Sequence, residues 1–207
     1  MNSLVFLIQQ TMIFFVPLMI VALGAMYSER SGVLNIALEG VMVFGAFWGI
    51  LFINKFQATL PSGWVLFIAI IISMVMGLIF SVFHAFAAIN LKADQTISST
   101  ALNTFATAFC IFFARVVQDV EQVNFKNTFR ISKIPVLGDM PFIGPAFFQN
   151  TYVTTFLGIL ILFISSFVLY KTKFGLRLRS CGENPQAADS VGINVYKMRY
   201  IGVLISG

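Results

Sequence analysis

The sequence predicts an all-α, polytopic bundle of transmembrane helices, and three observations carry that expectation. Hydrophobic residues make up 58% of the chain and charged residues only 10%, against about 25% charged in ordinary soluble domains; the mean hydropathy is +0.91. Five apolar runs reach the roughly 20 residues that a helix needs to cross the hydrocarbon core. The basic residues are also polarised: Lys171, Lys173, Arg177, Arg179, Lys197 and Arg199 fall in one short segment.

The first span is expected at Leu4 to Met26. No basic residue precedes Arg30, so the run lacks the charged leader of a secretory signal and is longer than a signal's core; it reads as a retained span. Pro17 within it predicts a structural kink. The second span, Gly32 to Ile53, carries the small pair Gly45 and Gly49. The third, Trp64 to Ile89, carries Ser73, Gly77, Ser81 and Ala85. Small residues at this spacing let helix backbones approach in lipid, so both sets are expected at packing faces. The lone His84 reads as a structural histidine near the inner end of the third span. The fourth and fifth spans are expected at Thr96 to Arg115 and Tyr152 to Tyr170. The closing run "YIGVLISG" starts a sixth, so the sequence reads as one transmembrane domain, 1–207, forming the front portion of a longer protein.

Basic residues are retained on the cytoplasmic side, which places 171–199 inside. Counting back, Val116 to Thr151 lies outside, Leu91 to Gln95 inside, Asn54 to Gly63 outside, Tyr27 to Ser31 inside, and the N-terminus outside. Arg30 and Lys92 agree with this orientation; Lys55 opposes it. Cys110 lies in an apolar run and Cys181 in a polar one, which implies neither a disulfide nor a metal site. Cys181, on the inner side, is expected to meet an impermeant thiol reagent only after permeabilisation.

Ionisable and strongly polar groups at membrane depth are costly and mark functional sites. Asn35 and Glu39 are four residues apart, which predicts one shared helical face, about 5 to 10 Å into the second span at 1.5 Å per residue. In "DQTISSTALNTFAT" the residues Gln95 and Ser99 are polar, and Thr96, Thr100, Asn103, Thr104 and Thr107 recur every three or four positions. One face of the fourth span is therefore polar and must turn towards partners or a pathway. Asn35, Glu39, Thr96, Thr100, Asn103 and Thr104 are the candidate pathway residues. No metal-binding cluster, nucleophile elbow or phosphate loop occurs, so neither catalysis nor a cofactor is predicted.

The segment "CGENPQAADSVGIN" is punctuated like a short soluble helix. Asn184 caps the free amides, Pro185 suits the first position, and Gly192 supplies a left-handed stop. Ala187, Ala188 and Val191 share a face at spacings of three and four. Two turns are too short to be stable alone in water, so this helix is expected to insert its small residues into a groove.

With its basic flanks, "KTKFGLRLRSCGENPQAADSVGINVYKMRYIGVLISG" resembles the cytoplasmic coupling segment, here 171–199, of type II ABC importer permeases for sugars, branched-chain amino acids and nucleosides. "ALGAMYSERSGVLNIALEGVMVFGAF" and "NLKADQTISSTALNT" look like the nucleoside, or basic membrane protein, subgroup. The resemblance implies a permease subunit in a bacterial inner membrane, working with a second permease, two ABC ATPase subunits and an external substrate-binding protein. It further implies that Asn184, Pro185, Ala187, Ala188, Val191 and Gly192 contact the ATPase. The loop from Val116 to Asn150, with Pro135, Pro141 and Pro145, is a candidate external docking surface. The rival expectation is a secondary transporter driven by an ion gradient; that class often places its carboxylates near the membrane midplane, whereas Glu39 lies nearer one surface.

Overall fold

A computed structural model describes residues 2–119, 123–126, 129–133 and 144–207. Pro135 and Pro141 of the candidate docking loop lie outside the described residues. Among the described residues, five helices are long and apolar enough to cross a membrane: α1 (Asn2–Arg30), α2 (Leu38–Phe56), α3 (Ser62–Ala85), α4 (Gln95–Gln118) and α5 (Val153–Lys171). α3 continues as one π-helical turn, Phe86–Asn90. Two four-residue strands, β1 (Arg130–Lys133) and β2 (Gln149–Tyr152), pair antiparallel between α4 and α5; nothing in the apolar pattern anticipated them. The chain closes with α6 (Lys173–Glu183), α7 (Pro185–Ser190) and α8 (Val195–Ser206).

Pro17 is accommodated inside an unbroken α1. The small residues pack as their spacing predicts. A Cβ at Gly45 would stand 2.9 Å from the Ser73 carbonyl, and one at Gly49 would collide with the Ser73 hydroxyl. α2 and α3 therefore cross almost backbone to backbone. α8 is wedged between α1 and α3 by the same device: Gly24 faces the Ser206 backbone, Gly202 faces Ser31, and Gly77 faces Gly207. Aromatic side chains fill the contact between α2, α3 and α4, where Phe44 stacks on Phe80 at 4.6 Å and packs against Phe109.

The ends of the elements sort into two surfaces. At one, the β-pair and its preceding turn meet the start of α1, where the Gln9 side-chain amide donates to the Pro145 carbonyl. At the other, α6, α7 and the start of α8 form a layer under the ends of α1 and α3, with Arg30 3.9 Å from Glu183 and Tyr200 hydrogen-bonded to Asn90. The second surface carries the basic segment, so the grouping of loops expected from charge is reproduced.

The second span departs from expectation. Its helix begins at Leu38 rather than Gly32, so Asn35 and Glu39 do not share a helical face. α1 ends in a Schellman arrangement: the Gly32 amide donates to the Glu29 carbonyl at 2.9 Å and the Val33 amide to the Ser28 carbonyl at 3.2 Å. Gly32 takes the left-handed φ of +87° that this stop requires. The next residues run without helical hydrogen bonds, although their composition is apolar.

Candidate functional site

The irregular stretch from Val33 to Ala37 lies between two membrane helices, so its backbone polar groups need partners that lipid cannot supply. Side chains from α1, α3 and α4 provide them; from α1, Ser28 Oγ donates to the Val33 carbonyl at 2.8 Å. Along α4, Gln95, Ser99 and Asn103 lie four residues apart and form one row. Gln95 Oε1 accepts from the Leu34 amide at 2.7 Å, and Ser99 Oγ accepts from the Ile36 amide at 3.3 Å. Asn103 holds both sides of the break: its Oδ1 accepts from the Gly40 amide at 2.8 Å and its Nδ2 donates to the Ile36 carbonyl at 3.1 Å. Gly40 permits this approach, since a Cβ there would stand 2.9 Å from Asn103 Cα.

From α3, His84 is fully buried and its Nε2 lies 3.1 Å from the Leu34 carbonyl. A carbonyl only accepts, so Nε2 carries the hydrogen and Nδ1 is left to accept from the Ser98 hydroxyl at 3.3 Å. The structural role expected of His84 is thus specific: it satisfies the broken segment. Asn35, also buried, closes the arrangement. Its Oδ1 accepts from the Ala37 amide at 3.1 Å, and its Nδ2 donates to Ser206 Oγ on α8 at 2.9 Å.

The polar face of α4 therefore consists of two rows. The inner row is consumed by the broken segment. The outer row, Thr96, Thr100, Thr104 and Thr107, is exposed. Its last three hydroxyls donate back to carbonyls of their own helix: Thr100 to Thr96, Thr104 to Thr100, and Thr107 to Asn103. A hydroxyl bonded this way keeps its lone pairs available as acceptors. Glu39 is exposed in the first turn of α2, where the positive end of the helix dipole favours its carboxylate. It is the chain neighbour of Gly40, whose amide is held by Asn103.

The short helix forms as its punctuation predicts. Asn184 Oδ1 accepts from the Ala187 amide at 3.0 Å, Pro185 opens α7, and Gly192 adopts φ +82°. The shared face does not hold. Ala188 is buried in this chain's own core with Leu178, Cys181 and Met198, whereas Val191 is 74% exposed and Ala187 is also exposed. The reason lies in the stop itself: the Ile193 amide donates back to the Ala188 carbonyl at 3.1 Å, folding the chain over that residue. Ala187 and Val191 remain as the outward pair.

Cys181, placed by sequence in a polar run, is fully buried in the same cluster. Burial pushes its thiol above the usual range; the charge of Arg199 and a hydrogen bond from Ser180 oppose that shift. Membrane permeabilisation alone will therefore not expose it. A maleimide at neutral pH is expected to label native Cys181 slowly on both sides of the membrane and rapidly after denaturation. Because the native pKa is raised, the stability that the neutral thiol confers is complete below its ordinary pKa and is lost as pH rises through the native value. Labelling rates across pH 7–10 check both statements.

Comparison with known proteins assigns this architecture. The family model described as "Branched-chain amino acid transport system / permease component" matches residues 7–207. The guanosine ABC transporter permease protein NupQ of Bacillus subtilis is 46% identical over 97% of this chain and 63% of its own length. The nucleoside ABC transporter permease protein NupC of Lactococcus lactis is 40% identical over 100% of this chain and 65% of its own length. The putative glucose ABC transporter permease protein TsgC13 of Haloferax volcanii is 33% identical over 92% of this chain. This chain thus spans under two thirds of the first two relatives, and no solved structure matches it significantly. With a family model covering residues 7–207 of a multi-pass helical bundle, the chain belongs to the branched-chain amino acid transport system permease family.

Proposed function

We propose that this protein is a permease subunit of an ATP-driven importer of nucleosides in a bacterial inner membrane. The observation that carries the reading is its similarity over nearly the whole chain to two relatives named for guanosine and nucleoside transport. Substrate arrives from an external binding protein, and a second permease completes the pathway. ATP hydrolysis resides on separate ATPase subunits, which contact segment 171–199.

Within this reading, Glu39, Thr96, Thr100 and Thr104 line the pathway and offer acceptors to ribose hydroxyls and base N–H groups. Asn35 and Asn103 shape its wall by holding the broken backbone. α7 meets the ATPase through Ala187 and Val191, while Asn184, Pro185 and Gly192 keep the helix in place and Ala188 anchors it to the permease body.

Two measurements test this. Uptake of labelled guanosine, leucine and glucose by cells carrying the assembled system is expected to show saturable transport of guanosine alone; preference for leucine or glucose overturns the substrate class. Val191→Arg is expected to leave thermal stability within about 0.5 kcal/mol, as at other exposed positions, while abolishing ATPase association. Retained association would remove α7 from the interface.

A further inference from the structure

A cavity of about 350 Å3 opens where the end of the third span, α7 and α8 meet. Ala88 and Ile89, from the last turn of that span, form an apolar wall; Lys92, Gln186, Tyr196 and Arg199 supply the polar lining. Asp189 also borders it, but the two cations leave the lining net positive. Neither Lys92 nor Arg199 forms an ion pair among the described residues. Arg199 Nε is buried and has no hydrogen-bond acceptor, an arrangement that costs about 1–3 kcal/mol, or more for a charged group, when nothing satisfies it.

We propose that this cavity binds the phosphate of an anionic phospholipid headgroup. Lys92 and Arg199, neither in an ion pair among the described residues, match a phosphate in charge and supply N–H donors to its oxygens. The position favours a lipid over a soluble anion: the apolar wall belongs to a membrane-spanning helix, and Leu91, at its end, is 65% exposed. Acyl chains would continue along that helix while the headgroup sits against Lys92 and Arg199. Basic pockets at the cytoplasmic ends of spans favour anionic lipids by this physics. The inference depends on membrane insertion and on the lining residues Gln186, Tyr196 and Arg199 staying open within the segment proposed to contact the ATPase, and it holds whatever solute is carried.

The test uses the full chain in a neutral detergent, with dioctanoyl phosphatidylglycerol, dioctanoyl phosphatidylcholine and inorganic phosphate titrated separately and binding read by native mass spectrometry. Phosphatidylglycerol is expected to bind in preference to phosphatidylcholine. Lys92→Gln and Arg199→Gln are each expected to weaken it about fivefold, the effect of one basic residue near an anionic surface. Lys55→Gln, in the last turn of α2, is expected to change nothing. Should Arg199→Gln fail to fold, Lys92→Gln, an exposed side chain, decides the question alone. Binding of inorganic phosphate, lost in the variants, without phosphatidylglycerol preference would assign the site to a soluble phosphate compound and overturn the lipid. Binding that neither variant alters would overturn the site.

Discussion

Ala188→Arg is expected to unfold the layer formed by α6, α7 and α8, a consequence different from blocking a partner. Ala188 is 3% exposed and packs with Leu178, Cys181 and Met198. A guanidinium there has no acid within the cluster, and an uncompensated buried charge costs on the order of 3–5 kcal/mol. The long side chain also overfills a space shaped for a methyl group. The checks are thermal unfolding of the purified protein and protease sensitivity between Lys171 and Arg199, with Val191→Arg as the comparison. If Ala188→Arg melts like the wild type and loses only the proposed ATPase association, the inward orientation of Ala188 is wrong.

Asn103→Leu is expected to be the most damaging substitution on α4. It removes the acceptor for the Gly40 amide and the donor for the Ile36 carbonyl together. A buried polar group left unpaired costs about 1–3 kcal/mol, which applies to the Gly40 amide, since Gly40 is buried while Ile36 is exposed. The branched side chain must also fit where α2 and α4 approach at Gly40. Both stability and uptake should fall, whereas Phe105→Leu, at a position 54% exposed, should alter them little. Asn103→Asp discriminates further: it keeps the acceptor for Gly40 and loses the donor to Ile36, so its melting temperature should lie between those of wild type and Asn103→Leu. Equal melting temperatures for Asn103→Leu and Phe105→Leu would show that the clamp does not hold the broken segment.

Much of the architecture was legible before any coordinates. Apolar length located five spans, four of them to within about four residues and the second starting six residues too early, because the width of the hydrocarbon core imposes a minimum that composition must meet. Asn184, Pro185 and Gly192 announced α7, since capping and left-handed stops are local and involve neighbours in the chain. Gly45, Gly49, Ser73 and Gly77 announced the close crossing of α2 and α3. Gly32, following a basic last turn at Arg30, carried the same stop signal as Gly192. The apolar residues beyond it mask that signal, because they look like continuing helix.

What sequence by itself determined, then, were the features set by nearest neighbours and by the solvent: spans, grouping of loops, caps and packing faces. Only the tertiary structure decided which polar residues are spent on the protein itself and which remain open. Gln95 and Thr96 are adjacent and equally polar, yet one binds the Leu34 amide while the other is exposed. Ala187 and Ala188 are identical, yet one faces outward and the other fills the core. Helical periodicity places residues on faces of an isolated helix, but which face meets a neighbour depends on contacts more than 60 residues away in the chain, such as Gly40 with Asn103 and Asn35 with Ser206. The α4 acceptors recur every four residues, but that period does not reveal their donors, which belong to a backbone segment whose irregularity appears only when the helices are assembled.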